Sequence, residues 1–304
     1  MTASDVDSVG QHTRYRVEHE TVYSYEMPMV DGYTVAHLRP RSSATQIVVD
    51  SRLEIDPEPA EFDEFTDLFG NRVVQFAVHR PHTSLMVRSL SEVDLITGPD
   101  LDAGVDWEQL AHCTADLDGA DALEIGMFRG SSQLVDLIAH GPQLHLLATR
   151  AFGPGIGVID GARALCHLIH TEFTFDPAAT DVSTPLGDVI AQRRGVCQDF
   201  AHLAVGCLRT LGLPARYVSG YLETDPPPGQ PRLAGADMSH AWVSVWAGES
   251  GWVDFDPTND HLPVRRHVTV GWGRDFADVS PVRGVVIGPA SSQVLSVSVS
   301  VVRV

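Results

Sequence analysis

The chain has 304 residues, 43% of them hydrophobic, and its formal charge is −19 because 40 acidic residues outnumber 21 basic ones. This charge repels nucleic acid and anionic membranes, which excludes both as expected partners; it favours a cationic or lysine-bearing substrate, although an acidic surface also simply keeps a protein soluble. Residues 1–20 lack the apolar segment of a signal peptide, and no run approaches the ~20 apolar residues of a membrane span. The four cysteines are unclustered, as in proteins of a reducing compartment. We therefore expect a cytoplasmic protein.

The first 97 residues predict a β-rich module. Apolar and polar residues alternate from Tyr15 to Tyr23, and further strands are expected at 47–55, 73–78 and 85–95. The sequence from Asp67 to Asn71 is a turn signal. We therefore expect a β-sandwich-like domain over residues 1–97.

Residues 98–141 are predicted to form an acidic linker or helical segment. The stretch 98–121 is rich in Gly and Asp, and Trp107, Leu110 and Leu117 could anchor a short helix within it. Helical periodicity follows at 134–147 and 159–170. We expect a second domain over residues 142–304.

The C-terminal tail of this second domain alternates as a strand does. Val297, Val299 and Val301 share one face of the predicted strand. We expect it to be a closing strand, paired either with the N-terminal module or with the sheet of the second domain.

Cys197 lies where a helix begins. The apolar residues after it recur at helical spacing, at Phe200, Leu203, Ala204, Cys207, Leu208 and Leu211. Gly212 and Pro214 end the helix. At a helix N-terminus, unpaired backbone N–H groups and the helix dipole stabilise a thiolate, and the same N–H groups can bind an oxyanion. This placement favours a nucleophilic role for Cys197.

A β-hairpin is predicted to bring a histidine and a carboxylate together. Residues 239–246 and 251–257 have strand patterns, and the turn 247–250 separates them. If the hairpin is centred on Gly248, His240 stands opposite Asp256 on one face. Pro257 cannot donate to the ladder, so the strand is expected to end just after Asp256. A shift of the turn by one residue is expected to send the two side chains to opposite faces.

Other residues compete for these roles. Asp254 shares a strand face with Asp256, and Asp199 lies in the first helical turn, where the dipole favours a carboxylate regardless of catalysis. The remaining reactive side chains are expected to be core or surface groups: Cys113, Cys166, Cys207, His202 and His261. The sequence has no metal-binding motif, so we predict neither a metal nor a cofactor.

Four sequence blocks occur in order: Arg194–His202, Pro214–Tyr221, Asp237–Trp242 and Phe255–Asn259. Together they resemble the bacterial branch of the transglutaminase-like superfamily of cysteine acyl-transfer enzymes. The resemblance extends to residues 273–279 and to the β-rich N-terminal module that accompanies this branch.

This resemblance implies an α+β fold with a papain/transglutaminase-like core, in which a helix bearing the cysteine packs on an antiparallel sheet bearing the histidine and the aspartate. It also implies Cys197 as nucleophile, His240 as base and Asp256 as orienting carboxylate. The Cys197 N–H would bind the oxyanion, with Gln192 or Gln198 as candidates for the second donor.

Three classes of function remain open from the sequence. The first, which we favour, is a cysteine peptidase or amidase that cleaves an amide or isopeptide bond through a thioester. The second is a crosslinking protein-glutamine gamma-glutamyltransferase, and the third is a catalytically idle binding module of the same fold. The residues of the triad do not distinguish the first two, because these differ only in whether water or a lysine amine attacks the thioester.

Overall fold

The computed structural model describes residues 12–97, 101–179, 184–224, 238–263, 266–289 and 292–304, without the side chains of Ala120, Asp121 and Met238. These residues form an α+β fold in which two antiparallel sheets of the N-terminal module meet a third sheet covered by helices. The predicted fold class is therefore confirmed. No helix in the described ranges is long and apolar enough to cross a membrane.

The N-terminal module is a β-sandwich of two four-stranded antiparallel sheets. Its strands are β1 (His12–Met29), β2 (Asp31–Ala36), β3 (Gln46–Asp56), β4 (Glu61–Thr66), β5 (Arg72–Val78) and β6 (His82–Ile96), completed by β13 (Val282–Ile287) and β14 (Gln293–Arg303). The strand orders are β14-β1-β6-β3 and β13-β2-β5-β4. Alternate residues such as Phe76 and Val87 point inward and are buried in a core between the sheets.

The C-terminal strand closes the first of these sheets. It pairs antiparallel with β1, and Val301 stands opposite Val17. Of the two partners left open by the sequence, the observed one is the N-terminal module. Alternation in a sequence predicts a strand but does not identify its partner. The domain boundaries at 97 and 141 stay a prediction, with the last two strands of the chain paired in the N-terminal sheets.

Six α-helices and a third four-stranded sheet are the main elements of the rest of the described chain. The helices are α1 (Trp107–Ala115), α2 (Gly119–Gly126), α3 (Leu137–Ala151), α4 (Val158–Glu172), α5 (Leu186–Gln192) and α6 (Cys197–Thr210). The sheet has the order β11 (Trp252–Phe255), β10 (Met238–Trp246), β9 (Ala215–Leu222), β12 (His267–Gly273). Two-residue strands β7 (Thr174–Phe175) and β8 (Arg194–Gly195) pair in parallel just before α6. The segment predicted as an acidic linker therefore carries α1 and α2.

Helix α6 is the central element of the second core. Its side chains Phe200, Leu203 and Leu208 are no more than 2% exposed. The buried Arg209 donates hydrogen bonds to the carbonyl oxygens of Ala215, Gly130 and Arg274. These bonds satisfy the buried guanidinium, so it can lie in the core. Because α6 is enclosed along its length, the position of its first residue, Cys197, is fixed.

The hairpin of β10 and β11 has a different centre from the predicted one. Ser244 pairs with Asp254 and Val245 with Val253, which centres the hairpin on Glu249 rather than Gly248. The predicted register was wrong because the connection contains a 3-10 turn at Gly248–Ser250. Contrary to expectation, His240 and Asp256 stay on the same face of the hairpin after this shift. Moving the hairpin centre by one residue moves each cross-strand partner by two residues, which preserves the face.

Candidate active site

Cys197 is the first residue of α6, and the start of that helix is built by two neighbouring residues. The Asp199 carboxylate accepts a hydrogen bond of 2.8 Å from the Val196 N–H. Gly195 leaves the room for this contact, since a Cβ at that position would lie 2.6 Å from Asp199 Oδ2. Asp199 therefore caps the helix that presents the thiol, and capping accounts for its place beside Cys197.

His240 joins the thiol to a buried carboxylate. Its Nε2 lies 2.7 Å from Asp256 Oδ2, and its interaction with Cys197 raises the pKa of the same imidazole. Because Nε2 is engaged by Asp256, Nδ1 is the ring nitrogen left for the thiol. The structure thus brings the three residues of the predicted triad together.

Charge in this cluster follows from burial and hydrogen bonding. Burial disfavours the charged form of His240, but hydrogen bonds to Asp256 and Cys197 outweigh burial and raise the pKa of His240 to about 10. Burial likewise opposes the ionised form of Asp256, yet hydrogen bonds from His240 and His267 hold the pKa of that carboxyl well below its usual range. His240 is therefore an imidazolium beside a carboxylate at neutral pH.

Asp256 is fully buried and accepts hydrogen bonds from five donors. Oδ2 faces His240 Nε2, His267 Nε2 at 2.9 Å and Asn259 Nδ2 at 2.8 Å. Oδ1 accepts the backbone N–H groups of Thr258 at 2.9 Å and Asn259 at 3.2 Å. These contacts hold the carboxylate in a single orientation toward His240.

Of these five donors, the sequence predicted only His240. The backbone contacts from Thr258 and Asn259 have a local signal, because an aspartate side chain often accepts N–H groups two or three residues further on. His267 has none: it lies on β12, which pairs with β9 and not with the strand that precedes Asp256.

The competing carboxylate on the hairpin has a different partner. Asp254 Oδ2 accepts a 2.9 Å hydrogen bond from the indole Nε1 of Trp242. Trp242 packs close to β9, where a Cβ at Gly220 would lie 2.5 Å from its ring. Asp254 therefore orients Trp242, and Asp256 is the carboxylate that is hydrogen-bonded to the His240 ring.

The other predicted groups lie around this cluster. Gln192 is exposed at the end of α5, and Gln198 is half-buried in the first turn of α6, so both stay predictions as second oxyanion donors. His202 Nε2 accepts the Phe276 N–H at 3.1 Å, and burial lowers the pKa of His202 to about 4. His261 contributes a backbone oxygen that accepts the Asp256 N–H.

The three other cysteines lie in different surroundings. Cys113 is exposed, whereas Cys166 and Cys207 are buried. Burial raises the pKa of the Cys166 and Cys207 thiols, which keeps both protonated. Only Cys113 therefore offers an accessible thiol for comparison with Cys197 within the described residues.

One atom of each of His240, Asp256 and His267 lies within 4.8 Å of the other two, as metal ligands would. In a tetrahedral zinc site, ligand atoms about 2.0 to 2.1 Å from the metal stand about 3.3 Å from each other. The observed separations of 2.7 and 2.9 Å between each Nε2 and the shared oxygen are hydrogen-bond distances. The donor set is therefore arranged for hydrogen bonding.

A cavity of about 500 Å³ lies near this site, between α4 and the loop that follows Asp256. Its lining includes Cys166, His167, Asp260 and His261. Cys197 and His240 are not among its lining residues, so this cavity is separate from the Cys197 thiol.

Two family models match the chain. A bacterial transglutaminase-like N-terminal region matches residues 15–94, and a transglutaminase-like superfamily core matches residues 149–257, which include Cys197, His240 and Asp256. A protein of Mycobacterium tuberculosis is 41% identical over 305 residues, covering 96% of this chain and 93% of the relative. The chain belongs to the transglutaminase-like superfamily.

Other relatives of this superfamily share less. A Mycobacterium leprae protein is 33% identical over 95% of this chain and 99% of its own length. A Pseudomonas aeruginosa protein named protein-glutamine gamma-glutamyltransferase is 35% identical over 94 residues, which cover 31% of this chain and 14% of that protein. A crystal structure described as that of a proposed cysteine protease from Cytophaga hutchinsonii has the same fold, with a TM-score of 0.75, 23% identity and coverage of 96% and 91% of the two chains.

Proposed function

We propose that the protein is a thiol-dependent acyl-transfer enzyme with Cys197 as nucleophile, His240 as general base and acid, and Asp256 as orienting carboxylate. One observation carries the proposal: a single imidazole interacts with a thiol at a helix N-terminus and is hydrogen-bonded to a fully buried carboxylate. This is the arrangement in which an activated nucleophile, its base and a group that orients the base act together.

The chemistry follows from these positions. The Cys197 thiolate attacks an amide carbonyl, and the developing oxyanion meets the N–H of Cys197 at the start of α6. The imidazolium of His240 then gives its proton to the leaving amine as the C–N bond breaks, which leaves a thioester on the sulfur. Water, deprotonated by His240, attacks the thioester, and the acid and the free thiol are released. Gln192 or Gln198 would supply the second oxyanion donor.

Water is the acceptor that we propose, so the enzyme is a peptidase or amidase acting on an amide or isopeptide bond. Cys197 is only partly buried, and a thioester in contact with solvent hydrolyses unless an acceptor site excludes water. The charge of −19 favours a cationic or lysine-bearing substrate. The four free cysteines are compatible with the cytoplasmic location that we propose, where indiscriminate crosslinking of proteins would be harmful.

Crosslinking is the second candidate function. It is the activity named for the Pseudomonas aeruginosa relative, whose similarity covers 31% of this chain. The two candidates share the thioester and differ in the nucleophile that resolves it.

We expect hydrolysis to persist when a primary amine competes with water. The purified protein is incubated with a library of glutamine-containing peptides and lysine isopeptides, with and without an excess of a fluorescent alkylamine. Mass spectrometry should show the acid or cleaved product forming at nearly the same rate in both samples. Cys197→Ala is the control for uncatalysed product. Efficient incorporation of the amine at the expense of the acid would replace hydrolysis by the transferase activity, with the roles of the three residues unchanged.

A further inference from the structure

We infer that His267 is a positioning residue for the proposed triad, holding the Asp256 carboxylate by a second imidazole. The inference rests on the proposed function. His267 Nε2 lies 2.9 Å from Asp256 Oδ2, the same oxygen that faces His240, and the two imidazole rings are 5.7 Å apart between centroids. Both His267 and Asp256 are buried. Two imidazoles therefore share one carboxylate oxygen, and that of His240 also interacts with Cys197.

The two histidines differ in charge. Burial lowers the pKa of His267, and its contact with Asp256 does not overcome this effect, so His267 is neutral at physiological pH. A neutral imidazole whose Nε2 carries the proton donates a fixed hydrogen bond to the carboxylate. The His261 ring lies 5.2 Å from His267, and Asp254 lines the same small cavity as His267; among the described residues these titratable side chains face it in addition to Asp256 and His240. His267 therefore acts as a donor that orients Asp256 without competing for the proton of His240.

The strand that carries His267 is anchored by the N-terminal module. The buried Gln46 side chain donates to the Thr269 carbonyl oxygen at 2.7 Å and accepts the Thr269 N–H at 2.8 Å. Asn71 makes the same pair of contacts with Trp272, at 2.8 and 3.0 Å. Each amide reproduces the two hydrogen bonds that a neighbouring strand would make along the edge of a sheet.

A glycine permits one of these contacts. A Cβ at Gly271 would lie 2.7 Å from Asn71 Oδ1, closer than the amide can tolerate. The β9–β12 pairing shifts register between Thr269 and Gly271, at this point. The edge strand is thus held on its open side by two side chains, one at Thr269, two residues from His267, and one at Trp272, five residues from it.

Loss of the His267 donor should have two effects on the proposed reaction. The carboxylate loses one of the contacts that fix its orientation, so the His240 ring is less well aligned with Cys197. The negative charge of Asp256 is also shared among fewer donors, so it stabilises the His240 imidazolium more strongly and raises the pKa of His240 further. We expect kcat to fall by about 10- to 100-fold, as when groups that orient metal-binding histidines are removed, with KM nearly unchanged.

The test compares His267→Leu, His267→Asn and His267→Gln. Gln can place an amide N–H near the position of Nε2, whereas Asn is too short to reach Asp256 and Leu has no donor. The Leu and Asn variants should have a lower kcat, and the high-pH limb of the pH profile of Cys197 alkylation should move to higher pH. In the Gln variant, both kcat and this profile should be close to those of the unmodified protein. Because Asn keeps a polar side chain, it serves as the second variant should Leu fail to fold.

Two results would overturn the inference. One is wild-type kcat and an unshifted alkylation profile in the Asn variant. The other is an equal loss in all three variants together with a lower Tm and an unchanged profile, which is what a packing role alone would give. Alkylation by iodoacetamide needs no substrate turnover. A shifted profile in a protein that cleaves no amide would therefore count against the proposed function, and not against the positioning role.

Discussion

Replacing Cys197 or His240 by alanine should each reduce amide hydrolysis by a factor on the order of 10⁴ to 10⁶. Without the sulfur no thioester forms, and without the imidazole the thiol keeps its proton and the leaving amine receives none. Because the two residues act as one unit, the double variant should be no slower than either single variant. The measurement is kcat/KM for the most rapidly cleaved member of the amide and peptide library.

Matched controls exist at the surface of the chain. Cys113 is exposed on α1, and His112 beside it has an 82% exposed side chain. Cys113→Ala and His112→Ala should leave kcat/KM unchanged. Substantial activity in Cys197→Ala would exclude this thiol as the nucleophile. Loss of activity in Cys197→Ala alone, with His240→Ala fully active, would exclude His240 as the base.

Asp256→Asn should lower kcat by about 10³- to 10⁴-fold, as in other triads in which the carboxylate becomes an amide. Both oxygens of Asp256 accept hydrogen bonds, so an amide must turn its NH2 group toward donors in either orientation. If the amide NH2 takes the place of Oδ2, this donor group faces two further donors, the protonated Nε2 atoms of His240 and His267. If the NH2 takes the place of Oδ1, it faces the backbone N–H donors of Thr258 and Asn259.

Asp254→Asn is the matched comparison for this prediction. The amide oxygen can still accept the Trp242 indole N–H, so kcat should stay close to that of the unmodified protein. Steady-state kinetics on both variants, with circular dichroism to confirm folding, separates the two carboxylates. If Asp254→Asn were the more damaging change, Asp256 would not be the orienting carboxylate.

Local sequence patterns predicted the start of α6 and the presence of the hairpin. The apolar repeat after Cys197 defines one helix, and Gly212 ends it with a φ of +80°, a conformation that glycine adopts readily. The hairpin centre was wrong by one residue, since turn residues at 247–251 allow several connections. His240 and Asp256 still share a face because the error preserved the period of two along a strand.

Contacts between distant parts of the chain could not be predicted in this way. His267 reaches Asp256 only because β12 pairs with β9, and Gln46 reaches Thr269 across 223 residues of sequence. Gln and Asn are common in exposed loops, so the residue type alone does not predict the buried role of Gln46 or Asn71. That role depends on a strand edge that the fold places beside each side chain. The pairing of β14 with β1 likewise depends on which sheet has an open edge.

The most direct test of the proposed triad is the rate at which iodoacetamide alkylates Cys197, compared with Cys113 in the same sample. An ordinary exposed thiol is mostly protonated at pH 6, whereas a thiolate paired with an imidazolium reacts there. We expect Cys197 to be alkylated faster than Cys113 at pH 6 by a factor on the order of 10 to 100, and His240→Ala to abolish this difference. Equal rates at the two cysteines, or a difference that survives His240→Ala, would contradict the assignment of Cys197 and His240 as nucleophile and base.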